Sequence, residues 1–128
     1  MGEYLIRLPW PPSALNTHAK GHWRPKAKAT KKYRHDAWAL AQEASVKAIP
    51  GAILEFTFCP PDKRRRDIQN MPGMMKAGID GIADAMGCDD SKFRPHFPDH
   101  FAEPTKGGCV LVHIKPSVTN IEMKGSIS

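Results

Sequence analysis

Apolar and polar residues alternate along residues 4–8 and 109–115, and residues 52–59 are rich in aromatic and β-branched side chains. Both patterns predict β-strands. Two longer segments, 27–48 and 70–86, carry apolar residues at the spacing of an α-helix. The resulting order, β-α-β-α-β, predicts an α+β (mixed α/β) fold in which a small β-sheet packs against two main helices.

Local signals refine the two predicted helices. A Pro-Gly pair stops the first helix, while Asn70 is a favourable N-cap for the second and Gly87 a favourable left-handed residue to end it. The first helix is expected to bury Trp38 and a stripe made of Tyr33, Ala37, Leu40, Ala41 and Ala44. The second is expected to bury Ile68, Met71, Met75, Ile79, Ile82 and Met86. The proline-rich segment that follows predicts an edge strand or an extended excursion.

The length of 128 residues fits one domain, which we place at residues 1–116, followed by a polar tail at 117–128 that is expected to fray. No apolar run reaches the roughly 20 residues of a membrane span, and the N-terminus lacks the apolar centre of a signal peptide. Three cysteines without a CxxC pair indicate reduced thiols. These features predict a cytoplasmic protein with no membrane partner, and no motif indicates a small organic cofactor.

Basic residues outnumber acidic ones by nineteen to thirteen, and they are clustered. One cluster is the consecutive run Lys63, Arg64, Arg65 and Arg66. The other contains Lys20, Arg24, Lys26, Lys28, Lys31, Lys32 and Arg34. Such clusters bind a phosphate backbone by releasing its counterions. They therefore indicate a nucleic-acid partner, the alternative being a basic protein whose charges are merely solvated.

Carboxylates stand beside these cations. Asp67 follows the basic run and precedes a predicted helix N-terminus, where partial positive charge collects. Asp89 and Asp90 adjoin each other on a predicted turn, where they repel unless solvent or a cation screens them. Carboxylates that hold Mg²⁺ next to cations that hold phosphates are typical of a site that cleaves phosphodiesters.

The face of the second helix opposite its apolar stripe carries Lys76, Asp80 and Asp84. At 100° per residue, Gln69 lies within about 20° of the direction of Asp80. A solvated surface with a Lys76–Asp80 pair one turn apart explains this face equally well.

Five short motifs follow one another over nearly the whole chain: Leu8-Pro9-Trp10-Pro11-Pro12-Ser13, Pro61-Asp62-Lys63-Arg64-Arg65-Arg66-Asp67-Ile68-Gln69-Asn70, Lys76-Ala77-Gly78-Ile79-Asp80-Gly81-Ile82, Asp89-Asp90 and Thr105-Lys106-Gly107-Gly108. As an ordered set they resemble the RusA family of Holliday-junction resolvases. Members of this family are small homodimeric endodeoxyribonucleases, often carried by phages and prophages.

The resemblance implies a RusA-like, intertwined homodimer that cleaves four-way and other branched DNA in bacterial or phage-infected cells. It implies Mg²⁺ as cofactor, with Mn²⁺ as a substitute, and catalytic roles for Asp67, Lys76 and Asp90. The implied metal ligands are Asp67 and Asp90, completed by Gln69, Asp80 or Asp89. The expected DNA contacts are Lys63, Arg64, Arg65, Arg66, Asn70, Lys20, Arg24 and Lys106.

The sequence departs from the family pattern at two places, and these departures leave more than one function open. Gln69 stands where the family has a second Asp, and the spacing from Asn70 to Lys76 is about three residues longer. A Gln offers a metal one neutral oxygen, so metal affinity is expected to fall. The alternatives to a nuclease are a junction-binding relative without catalysis and a general basic nucleic-acid binder.

A helix over residues 70–86 is roughly 25 Å long at 1.5 Å per residue. Asp67 and Asp90 are therefore expected at its opposite ends within one chain. We expect two chains to pack so that the start of this helix in one chain meets the Asp89-Asp90 turn of the other. Among the tryptophans, Trp23 is flanked by basic residues and is the favoured nucleic-acid contact.

Overall fold

The computed structural model of the chain describes residues 2–16 and 23–117. Lys20 and all of the predicted tail except Ser117 lie outside the described residues. For Trp23, Arg24 and Asp90, only the backbone belongs to the described part.

Four strands form one sheet in the order β1-β4-β2-β3, where β1 is Tyr4–Pro9, β2 is Ile53–Cys59, β3 is Arg94–His96 and β4 is Cys109–Lys115. The central strand β4 runs antiparallel to both β1 and β2, and β3 runs parallel to β2. The expected edge strand is confirmed as β3, whose Pro95 has no N–H to give to a second neighbour. The predicted α+β class is confirmed, with two main helices against a small sheet.

One face of the sheet supplies the core. Leu8, Leu54, Phe58 and Val112 are fully buried, and they occupy alternate positions on their strands. The opposite face carries mostly polar and half-buried residues, with Ile53, Cys59 and Cys109 buried at the strand ends, and Leu5 on it is 65% exposed. The alternation of apolar and polar residues along the strands therefore reflects a sheet that packs one face against the core.

The first helix, α1, spans Trp23–Glu43, so it begins and ends earlier than the sequence predicts. It ends because Ser45 takes a left-handed conformation (φ 57°). The Ser45 N–H then donates to the Gln42 carbonyl and the Val46 N–H to the Ala41 carbonyl, which closes the helix before the Pro-Gly pair is reached. Val46 is buried beyond this cap.

The buried stripe of α1 is narrower than predicted. Tyr33, Ala37 and Ala41 are buried, whereas Leu40 is half-buried. Ala44 is exposed because the helix ends before it. The expectation that Trp38 belongs to the core is wrong: its side chain is 37% exposed, and its ring lies 5.4 Å from that of His35.

The predicted second helix is divided into α2 (Met71–Met74) and α3 (Lys76–Met86), preceded by a 3₁₀ turn at Ile68–Asn70. The interruption at Met75 comes two residues after Gly73 and three after Pro72, both poor helix formers. Gly87 ends α3 in the left-handed conformation, as predicted. Of the six residues in the expected apolar stripe, Ile68 is half-buried. The other five are buried: Met71, Met75, Ile79, Ile82 and Met86.

Close packing of α1 against α3 depends on Gly81. A Cβ atom at this position would lie 2.2 Å from the backbone oxygen of Arg34, a distance that the helix pair cannot accommodate. The contact fixes the helices side by side, and it places Arg34 next to the acidic face of α3. None of the helices in the described residues is long and apolar enough to cross a membrane.

Candidate functional site

The basic run lies in a loop, residues 60–67, that internal hydrogen bonds hold in one conformation. Two prolines end β2, and the Asp62 carboxylate then accepts a hydrogen bond from the Arg64 N–H at 2.9 Å. The Arg66 guanidinium pairs with the same carboxylate at 2.9 Å and donates to the carbonyls of Asp62 and Arg64. We call this segment the basic loop.

Asp62 organises the basic loop, although the sequence analysis did not single it out. The backbone N–H of Arg64, followed by the Arg66 guanidinium, holds the pKa of the Asp62 carboxyl below its ordinary value. The signal was present in the sequence, because an Asp that follows two prolines commonly accepts a hydrogen bond from the backbone two residues later.

Trp10 lies against the basic loop. The Arg66 guanidinium lies 5.6 Å from the centre of the Trp10 ring, within range of a cation–π contact. Gly108 approaches Trp10 as well: it has φ +71°, and a Cβ atom on it would lie 3.0 Å from Trp10 and 2.9 Å from Pro61. Only glycine fits this turn without strain, which explains the double glycine after Lys106.

These elements enclose a cleft of about 600 Å³ that we call the Asp67 cleft. Its polar lining consists of Ser13, Asn16, Asp62, Arg64, Arg66, Asp67 and Asn70. Asp67 is exposed, and its Oδ1 accepts a hydrogen bond from the Gln69 N–H at 3.0 Å. Asp67 is therefore the cap of the 3₁₀ turn, whereas Asn70 stands at its predicted position directly before the first residue of α2. Asn70 has helical backbone angles and makes no capping contact through its side chain.

A second cleft, of about 300 Å³, follows α3 from Lys76 at its start to Asp89 beyond its end, and we call it the Asp89 cleft. It is lined by Arg34, Lys76, Asp80, Ala83, Asp84, Cys88 and Asp89. Arg34 donates two hydrogen bonds to Asp84, at 2.7 and 2.9 Å, and lies 3.9 Å from Asp80. The Lys76 Nζ lies 2.8 Å from Asp80 Oδ1, so the predicted pair one turn apart is present.

The structure thus divides the predicted site residues between two places. Asp67, Asn70, Arg64 and Arg66 line the Asp67 cleft, whereas Lys76, Asp80 and Asp89 line the Asp89 cleft. Lys63 lines a shallow depression beside the basic loop, and Gln69, Arg65 and Lys106 are exposed. Lys20 and the side chains of Arg24 and Asp90 lie outside the described residues.

One chain does not assemble the expected magnesium shell from its described side chains. Within residues 2–16 and 23–117, no group of three or more His, Cys, Asp or Glu side chains is close enough to hold a metal ion. Asp80 and Asp89 are in a different cleft from Asp67, so neither completes a shell with Asp67 in the same chain. The Gln69 side chain is exposed, and its backbone N–H donates to the Asp67 carboxylate.

Comparison with known proteins identifies a relative but no activity. An uncharacterized protein of Xylella fastidiosa (strain Temecula1) is 35% identical to this chain over 96 residues. The aligned part covers 71% of this chain and 63% of that protein, so the match spans less than two thirds of the relative's length. No protein-family model matches the sequence.

Proposed function

We propose that this chain is a RusA-like, magnesium-dependent endodeoxyribonuclease that resolves Holliday junctions and other branched DNA by phosphodiester hydrolysis. The observation that carries the proposal is the Asp67 cleft, in which an exposed carboxylate stands among arginines on a loop of fixed conformation. A phosphodiester substrate needs both features at the same place: cations that hold its phosphates and carboxylates that hold the metal.

The basic loop is suited to a phosphate backbone. The Arg64 side chain is 80% exposed, and Lys63 and Arg65 are exposed as well, so three cations face solvent beside the cleft. Arg66 is 21% exposed and supports the loop from within. Contacts of exposed Lys and Arg with phosphates position a strand without reading its bases, as recognition of a branch rather than of a sequence requires.

A second chain supplies the rest of the proposed metal site. Mg²⁺ prefers oxygen ligands. Of the two carboxylates that line the Asp67 cleft, Asp62 pairs with arginines of the loop, so a single chain offers the metal only Asp67 there. In a two-fold dimer, the Asp67 cleft of one chain would face the Asp89-Asp90 turn of its partner. The symmetry would create two equal sites, which suits a junction that is cut on two strands. Lys76, which lines the same cleft as Asp89, would then contact the phosphate.

A second candidate function is junction binding without cleavage, and Gln69 favours it. The side chain is exposed at the position where the resemblance expects a carboxylate, and it brings no charge to a cation. A protein with this substitution would keep its basic loop and its affinity for DNA while losing the metal.

Cleavage of synthetic four-way junctions tests the proposal. We expect nicks near the branch with Mg²⁺ or Mn²⁺, none with a chelator, and none from Asp67→Asn. The matched control is Asp99→Asn, the same change at an exposed carboxylate that lines neither cleft, and it should cleave normally. Tight junction binding without nicks would favour the second candidate, and equal affinity for linear duplex would contradict both.

The variant Gln69→Asp separates the two candidates further. If the amide weakens the metal site, an added carboxylate should raise metal-dependent cleavage and lower the Mg²⁺ concentration needed for half-maximal rate. An unchanged rate would show that position 69 does not contribute to the site.

A further inference from the structure

A third cleft, of about 460 Å³, lies on the other side of Trp10, and we call it the Tyr33 cleft. Its walls are the apolar surfaces of Pro9, Trp10, Pro12, Pro25, Ala29 and Tyr33, between β1 and the N-terminal half of α1. The Tyr33 hydroxyl donates a hydrogen bond to the Pro9 carbonyl at 2.7 Å, which positions the buried ring (3% exposed) in the cleft wall. Half-buried Trp10 therefore offers the accessible aromatic surface of a mainly apolar cleft.

The charged residues that line the Tyr33 cleft, among the described residues, all belong to α1. Lys28 and Lys32 stand one helical turn apart, and Asp36 follows one turn later. The Lys32 ammonium lies 2.7 Å from the Asp36 carboxylate, so these two charges are paired, whereas Lys28 is exposed. The cleft thus offers Lys28 to a phosphate, and the neighbouring Lys32–Asp36 pair can add polar contacts to a ligand.

Trp10 and Pro12 line both this cleft and the Asp67 cleft, so the two are separated by a single wall. Arg66 approaches the Trp10 ring from the side of the basic loop. A strand whose backbone follows the basic loop would therefore bring its next nucleotide to the entrance of the Tyr33 cleft.

We propose that the Tyr33 cleft binds one unpaired nucleobase of a DNA strand whose backbone contacts the basic loop, an inference that rests on the proposed function. A nucleobase is flat and stacks on aromatic side chains whatever its identity. Its flanking phosphate requires a cation, which Lys28 provides. A wholly apolar ligand would make no use of the Lys28 ammonium beside the cleft. Branch points are the places in duplex DNA where a base is most readily unpaired, because unstacking costs least there.

Binding of the full chain to two otherwise identical four-way junctions tests this inference. One junction carries a single unpaired nucleotide at the branch, and the other carries an abasic sugar at the same position. We expect the base to raise affinity about fivefold or more, as stacking on an aromatic side chain does. The same pair of modifications in a bulged linear duplex shows whether base binding depends on the junction.

Filling the cleft should remove the preference for the base. Ala29→Trp places a ring in the Tyr33 cleft, and Ala27→Trp, the matched control, places it on the exposed side of the same helix. The first variant should bind both junctions with the affinity of the abasic one, and the control should keep the preference. Lys28→Ala should reduce the ratio of the two affinities, whereas Lys31→Ala, an exposed lysine outside the cleft, should leave it unchanged.

The outcomes separate this inference from the proposed function. Junction selectivity with equal affinity for base and abasic DNA would overturn the inference alone and assign the cleft to another occupant, such as a second copy of this chain. A preference for the base in the bulged duplex without junction selectivity would support the cleft and contradict the proposed function.

Discussion

The two ends of the α2–α3 segment differ in charge and in what holds them in place. The Asp67 cleft adjoins three exposed cations of a loop, and its own ion pairs lie within that loop. In the Asp89 cleft the described lining side chains include both acidic and basic residues, and the ion pair between Arg34 and Asp84 links two helices. The Asp67 cleft therefore presents cations to solvent, whereas the Asp89 cleft holds opposite charges together between α1 and α3.

The contacts that stabilise the basic loop and the Asp89 cleft differ as well. The basic loop depends on hydrogen bonds to one carboxylate, that of Asp62. The Asp89 cleft depends on the close approach of α1 and α3 at Gly81. Each end should therefore respond to a different class of substitution, and the following predictions use this difference.

The largest effect is expected from Gly81→Ala, which should damage the Asp89 cleft. The new Cβ atom would meet the Arg34 backbone at 2.2 Å, and overpacking of this kind outweighs the gain in helix propensity. We expect the free energy of unfolding, measured by urea denaturation, to fall by about 2 kcal/mol or more.

Gly78→Ala is the matched control on the same face of α3. Its Cβ atom would meet only side chains, the nearest being Tyr33 at 3.0 Å, and these can shift slightly. The control should stay within about 1 kcal/mol of the wild-type stability. Equal losses for the two variants would show that the backbone contact at Gly81 does not determine the helix packing.

A smaller effect is expected from Arg66→Ala at the other end. The change removes the ion pair with Asp62, two hydrogen bonds to loop carbonyls and the contact with Trp10. Junction affinity should fall by about tenfold, because hydrogen bonds to charged groups are lost and the loop is released. Stability in urea should change little compared with Gly81→Ala.

Arg65→Ala provides the comparison for Arg66→Ala. Arg65 is exposed, so its loss should remove one phosphate contact and lower the slope of log affinity against log salt by about 1. Lys47→Ala, an exposed lysine that lines none of the three clefts described, should change neither quantity. If Arg65→Ala weakened binding more than Arg66→Ala, the supporting role of Arg66 would be wrong.

The smallest effect concerns the titration of Asp62. Because its pKa is lowered from 3.8, the contacts of this carboxylate are fully present above pH 3.8 and are lost as the pH falls through the lowered value. A carboxyl-carbon NMR titration should give a midpoint below 3.8. Arg66→Ala should move the midpoint part of the way back, since the Arg64 N–H remains, while Lys63→Ala should not move it.

Much of the fold was predictable, since burial on one side leaves a periodic signal. The three predicted strands, the left-handed Gly87 and the methionine-rich stripe all follow from local sequence. The end of α1 did not, because Ser45 takes a conformation that is uncommon outside glycine. Trp38 was expected in the core of the first helix, but its position on α1 faces partly outward.

The charged residues of the candidate site could be predicted from the sequence, but their division between two clefts could not. Sequence alone placed Asp67 beside the basic run, and the two ends of the second helical segment apart from each other. It could not show that Arg34, fifty residues away, pairs with Asp84, because contacts between α1 and α3 leave no local pattern. It also favoured Trp23 over Trp10, since only the folded chain brings Trp10 against Arg66.

The central claim is that each active site combines Asp67 of one chain with the Asp89-Asp90 turn of another, and complementation tests it directly. Asp67→Asn and Asp90→Asn are prepared separately, mixed under conditions that exchange subunits, and assayed for nicking of a four-way junction. In a mixed dimer one site carries both substitutions and the other carries neither. The account therefore predicts two inactive variants whose mixture recovers about a quarter of the wild-type nicking rate. A mixture as inactive as its components would contradict the shared site.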